Sequence, residues 1–80
     1  MAASESVNPL GAPAAALTPR EAEVLARTSR GETNAQVARE LGVTVHAVKF
    51  HLASIFRKLG VHNRTEAAAV YLQRLSDRVG

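Results

Sequence analysis

The sequence predicts an all-α fold, a compact domain of four helices, and three observations lead there. Four stretches repeat apolar residues at helical spacing. No segment alternates polar and apolar residues with a period of two, so no sheet is expected. In TNAQVARELGVTVHAVKFHLASIFRKLG, Thr33 to Gly60, a short helical stretch ends at Gly42, and only Val43 and Thr44 precede a longer one. A connection that short makes two helices cross steeply, which is the helix-turn-helix arrangement.

Length and composition narrow the function classes. Eighty residues make one small domain with a modest core. Tryptophan is absent and aromatic residues are only 4% of the chain, so Leu, Val, Ile and Ala must do the packing. The lack of cysteine excludes a disulfide framework, a thiolate metal site and a thiol nucleophile. No apolar run approaches a membrane span, and residues 1–16 lack the basic start and apolar core of a signal peptide. A soluble, cytoplasmic protein with no membrane partner is expected. The formal net charge is +3, but its distribution says more. No acidic residue lies between Glu40 and Glu66, whereas Lys49, Arg57, Lys58 and Arg64 all do. A basic face on an otherwise balanced domain suits a polyanion partner.

In chain order, residues 1–16 (MAASESVNPLGAPAAA) read as a flexible leader or linker, rich in Ala, Ser, Pro and Gly. The domain proper is expected over 17–76, with a frayed end at 77–80. The first helix opens at Thr18 as N-cap, with Pro19 at its first position and Glu21 completing a capping box. Val24 and Leu25 supply its buried side, Gly31 is its stop, and Arg20 with Glu21 reads as a capping and ion-pair element. The second helix repeats the grammar: Thr33 caps, Gln36 is its box partner, and Val37, Ala38 and Leu41 face the core. Gly42 fits the left-handed position that ends it. Thr44 caps a third helix over Val45 to Leu59, stopped by Gly60. Asn63 and Glu66 make a further cap-and-box pair before a fourth helix, where Ala67, Ala68, Tyr71, Leu72 and Leu75 recur at helical spacing.

The third helix carries two stripes. Winding it at about 100° per residue puts Val45, Val48, Leu52, Ile55, Phe56 and Leu59 on one side. His46, Phe50, Ala53 and Arg57 line the other, flanked by Lys49 and Lys58. A core requires the first stripe, and only an external partner would use the second.

LTPREAEVL, Gly31, Asn34, VARELGVT, VKFHLASIFRKLGV and NRTEAA closely resemble the LuxR-type (NarL/FixJ, GerE) helix-turn-helix domain, over roughly Leu17 to Leu75. The resemblance implies a bacterial transcription regulator domain whose third helix enters the major groove of double-stranded DNA. It also implies that the fourth helix forms a weak homodimer contact, here assigned to Ala67, Val70, Tyr71 and Arg74. Departures from the pattern are Ala47 and Thr28, where threonine and an apolar residue are usual, and Thr44 in place of serine. Read with the outward stripe, His46, Lys49, Phe50 and Ala53 are the expected base contacts: Lys49 can donate to guanine, and Phe50 can pack on a thymine methyl. Thr33, Asn34 and Thr44 at helix starts, together with His51, Arg57, Lys58 and Arg64, are the expected phosphate contacts. RNA polymerase is a further candidate partner. Whether the chain is an excised output domain or a stand-alone regulator stays open.

Other chemistries fit poorly. His46, His51 and His62 do not share a helix face at ligand spacing, so no metal is expected. GETNAQ and LGVT lack the P-loop pattern, and Asp77 is the only aspartate, so no catalytic set forms. The chain is expected not to be an enzyme, and to need no cofactor or small-molecule ligand. Two alternatives to a transcription regulator are a sigma-factor-like promoter-reading domain and a helical protein-interaction module.

Overall fold

Each helix begins at the capping residue that the sequence marks. In the computed structural model, which describes residues 16–79, the helices are α1 (Pro19–Ser29), α2 (Asn34–Leu41), α3 (Val45–Leu59) and α4 (Arg64–Val79). The expected leader lies, except for Ala16, outside the described residues.

Thr18 Oγ1 accepts from the Glu21 N–H at 3.1 Å, and Glu21 Oε1 accepts from the Thr18 N–H at 2.9 Å. Thr33 and Gln36 exchange the same pair of bonds at 3.1 and 2.7 Å. Thr44 Oγ1 accepts from the Ala47 N–H at 3.0 Å. The fourth cap differs from expectation in one detail. Asn63 Oδ1 accepts from the Glu66 N–H at 2.9 Å, but Glu66 Oε1 reaches one residue further back, to the His62 N–H at 2.7 Å. The box is therefore displaced: it satisfies one helix-start donor, the Glu66 N–H, and the His62 N–H just before the cap.

The helix ends are equally local. Gly42 and Gly60 stand at φ 68° and 72°, the left-handed region that costs other residues about 1–2 kcal/mol. Beyond each, a valine closes the motif: the Val43 N–H donates to the Ala38 carbonyl and the Val61 N–H to the Phe56 carbonyl, both at 3.0 Å. Both valines pack against the core, which adds the apolar contact typical of this ending. A Cβ at Gly42 would meet nothing within 4 Å. Gly42→Ala should therefore lose only the conformational term, about 1 kcal/mol in urea denaturation. A loss well above 2 kcal/mol would mean that the turn resists alanine for another reason. At the far end α4 runs to Val79. No helix breaker interrupts Ser76 to Val79, and Gln73 Nε2 donates to Asp77 Oδ1 one turn on, at 3.3 Å.

The core draws on all four helices. Val24 and Leu25 of α1, Val37 and Ala38 of α2, Val48, Leu52 and Ile55 of α3, and Ala67 of α4 are buried together. α1 packs against each of the other three, and α2 packs on α3. Ala67 corrects an expectation. Assigned to a dimer contact, it is fully enclosed, where its small side chain lets α4 approach the core.

One core position is imperfect. Thr28 is 6% exposed, and its Oγ1 finds no hydrogen-bond partner. A buried hydroxyl without a partner costs about 1–3 kcal/mol of desolvation. Thr28→Val removes the orphan at nearly constant volume, so it should stabilise the fold by about 1 kcal/mol and raise the melting temperature by about 5 °C. An unchanged or lower melting temperature would show that the hydroxyl is satisfied in solution.

Among the described residues, no helix is long and apolar enough to cross a membrane.

Candidate nucleic-acid interface

The two stripes of α3 separate as the helical phase requires. Val48, Leu52 and Ile55 are buried, with Phe56 and Leu59 packed at the edge of the core. Val45 departs from the expected inner stripe: at the first turn it stays 40% exposed, because the helix enters the core only from Val48 onward. On the outer side His46, Lys49, Phe50, Ala53 and Arg57 are all exposed, Phe50 by 71%. The Phe50 ring meets the neighbouring His51 ring edge to face, with centroids 6.3 Å apart and planes at 68°. Among the described residues, neither Lys49 nor Arg57 has a carboxylate within ion-pair distance. The four expected base contacts thus share one open face with Arg57, and two of these five residues, Lys49 and Arg57, are unpaired cations.

The expected phosphate contacts divide into two groups. Thr33, Thr44 and Arg57 are exposed, and His51 is half-buried beside Phe50. The capping bonds satisfy the third N–H of α2 and of α3, which leaves those of Asn34, Ala35, Val45 and His46 outside the helical ladders. Such groups, with the helix dipole behind them, suit an anion.

Lys58 and Arg64, assigned to phosphates on charge, already have partners inside the protein. Lys58 Nζ donates to Glu21 Oε1 at 2.7 Å, and the two side chains are only 28% and 7% exposed. Ser54 Oγ donates to the other oxygen, Oε2, also at 2.7 Å. Arg64, the first residue of α4, reaches back to the start of α2. Its Nη1 donates to Asn34 Oδ1 and its Nη2 to the Glu32 carbonyl, both at 2.7 Å. Asn34 is consequently half-buried, with its side-chain oxygen occupied.

Glu21 therefore does more than cap α1, and its ion-pair partner is Lys58 rather than the exposed Arg20. Burial alone would raise its carboxyl pKa. Hydrogen bonds from Lys58, Ser54 and the Thr18 N–H, with the nearby positive charge of Lys58, outweigh that and lower it from 4.5 to about 2. Neither Glu21 burial nor Ser54 was anticipated. The available signal was the i,i+4 spacing of Ser54 and Lys58, which puts both on one face of α3.

The face assigned to dimerisation lies elsewhere, on α4. Val70 and Tyr71 are half-buried, Arg74 is exposed, and Leu72 and Leu75 are 58% and 38% exposed. Tyr71, Arg74 and Leu75 line a shallow depression shared with Leu17, Ala22 and Leu25 of the α1 region. Among the described residues, no cluster of His, Asp or Glu could hold a metal ion.

A four-helix domain whose helix-turn-helix presents an open cationic face is a module built around an external partner. The chain belongs to the GerE family, described as “Bacterial regulatory proteins, luxR family”, which matches residues 15–71. It is 43% identical over 60 residues to a probable transcriptional regulatory protein, SgaR, of Hyphomicrobium methylovorum, covering 75% of this chain and 28% of that protein. It is 44% identical over 62 residues to the transcriptional regulatory protein LiaR of Bacillus subtilis, covering 78% and 29%. The HTH-type transcriptional activator RamA of Corynebacterium glutamicum is 47% identical over 51 residues, covering 64% and 18%. The chain thus spans less than a third of the length of these relatives. The family is one of regulators, in agreement with the expectation of a chain that is not an enzyme.

Proposed function

We propose that this chain is the sequence-specific DNA-reading domain of a bacterial transcription regulator, with α3 in the major groove. His46, Lys49, Phe50 and Ala53 face base edges. Thr33, Thr44, His51, Arg57 and the backbone at Asn34 face phosphates, while Lys58 and Arg64 hold the frame. The observation that carries this reading is the outer stripe of α3, where an exposed phenylalanine and two unpaired cations stand together. Family membership and the relatives named as transcriptional regulators support it. On DNA, two copies pair weakly through Val70, Tyr71 and Arg74 of α4, reading half-sites about 10 bp apart if the two α3 helices are one turn apart. A protein acting there works at the nucleoid, where RNA polymerase is a natural neighbour.

The deciding experiment is a binding titration at two salt concentrations, comparing a duplex selected from a randomised pool with random duplex. The wild-type chain should prefer the selected duplex, and both affinities should fall with salt. Lys49→Ala/Phe50→Ala should reduce the preference by about tenfold or more, with random-DNA binding less affected. Full specific affinity in the double variant would remove α3 as the reading helix. Absence of any salt-dependent DNA affinity would favour a protein-interaction module instead.

A further inference from the structure

We propose that Phe50 reads the C5-methyl group of a pyrimidine, so that the domain distinguishes thymine and 5-methylcytosine from uracil and unmethylated cytosine at one position of each half-site. This rests on the placement of α3 in the major groove proposed above.

Phe50 is the most exposed large apolar residue among the described residues, at 71%. Its neighbours on that face, His46, Lys49, Ala53 and Arg57, are exposed as well, and none of them is a large apolar residue. The other exposed apolar residue of α3, Val45, lies five residues back, roughly 140° round the helix. Phe50 is therefore a lone apolar projection in a polar and cationic surrounding. A protein-docking patch would need contiguous apolar surface, which this face lacks.

A phenyl ring has no donor or acceptor with which to use the hydrogen-bond code of the base edges. The apolar feature that the major groove offers it is the methyl on C5 of thymine. The same methyl occurs on C5 of a methylated cytosine. The edge-to-face contact with His51 limits where the ring can swing, and its 6.3 Å centroid separation lies in the favourable range of roughly 4.5–7 Å. Lys49 next to it supplies donors for an adjacent base. Ala53, almost one turn further on, is small enough to let the ring approach the base edges closely.

The test uses the 80-residue chain and the duplex that it selects from a randomised pool. Each thymine of the half-site is replaced in turn by deoxyuridine, which removes only the methyl. At one position the wild-type chain should bind about fourfold more weakly, the factor that corresponds to one buried methyl-sized group. Placing cytosine at that position and then methylating it should strengthen binding by a similar factor. Phe50→Ala retains Lys49 and Arg57 for binding, and for it the thymine and uracil duplexes should be equivalent at that position. The inference is overturned, with the DNA-reading function intact, if specific binding is strong but no thymine-to-uracil change matters. It is equally overturned if the methyl effect persists in Phe50→Ala. Failure to select any duplex would overturn both.

Discussion

Glu21→Ala should destabilise the domain by about 3 kcal/mol, a large fraction of what an 80-residue fold possesses. The carboxylate holds three donors from three places: the Thr18 N–H at the start of α1, Ser54 Oγ and Lys58 Nζ on α3. Alanine would leave Lys58 without a counter-charge, and Ser54 and the first turn of α1 without an acceptor. Glu21→Gln keeps an acceptor but not the charge, and should lose about half as much. Lys58→Met should also be costly, because it leaves a buried carboxylate unpaired. The Glu21→Gln/Lys58→Met pair should then cost less than the two changes summed. Urea denaturation of the four variants tests this, and additive losses would show that the residues do not act as a unit.

The same site predicts how stability depends on pH. The unfolded chain protonates Glu21 near its ordinary 4.5, and the folded chain only near 2. The unfolded state therefore binds the proton more readily as the solution is acidified. Stability from this group is fully present above about pH 4.5, falls progressively as pH drops, and is gone below about 2. That interval corresponds to about 3 kcal/mol. Stability measured between pH 6 and 2 should show a fall in the wild type that is much smaller in Glu21→Gln. Parallel curves for the two proteins would refute the assignment.

The second large effect is expected at Arg64. Its guanidinium joins the first residue of α4 to Asn34 and to the Glu32 carbonyl, so it ties the fourth helix to the entrance of the second. Arg64→Ala should remove about 2–3 kcal/mol of stability, the worth of two charge-assisted bonds in a half-buried setting. Arg64→Lys keeps the charge but cannot fork to both acceptors, so it should recover less than half. DNA binding separates this role from a direct phosphate contact. A residue on a phosphate lowers the slope of log affinity against log salt by about one unit when removed. Arg64→Ala should weaken binding through the displaced start of α2 and leave that slope unchanged. A slope reduced by one with unaltered stability would return Arg64 to the phosphate backbone.

Both residues show where reading a sequence stops. Lys58 and Arg64 look like free cations because both fall in the acid-free stretch between Glu40 and Glu66. Their partners are 37 and 30 residues away, beyond the reach of spacing arguments. Ala67 was misread for a related reason. Its helical phase put it on an apolar face, but nothing in the sequence indicates whether that face meets a second copy or the chain itself. Phe50 was legible because its exposure follows from phase: α3 is anchored by Val48, Leu52 and Ile55, and a residue opposite them must point outward.

What the sequence determined by itself was everything governed by interactions within one or two helical turns. Thr18, Thr33, Thr44 and Asn63 set the helix starts, Gly42 and Gly60 set two of the ends, and the outward stripe of α3 followed. Caps, left-handed glycines and helical phase depend on neighbours a few residues apart, so their physics is written in order along the chain. Tertiary structure alone decided which charges remain available to a polyanion. Folding brought Glu21 to Lys58 and Asn34 to Arg64, leaving Lys49 and Arg57 unpaired beside Phe50. Pairing between distant side chains depends on how helices cross, and no local pattern encodes that.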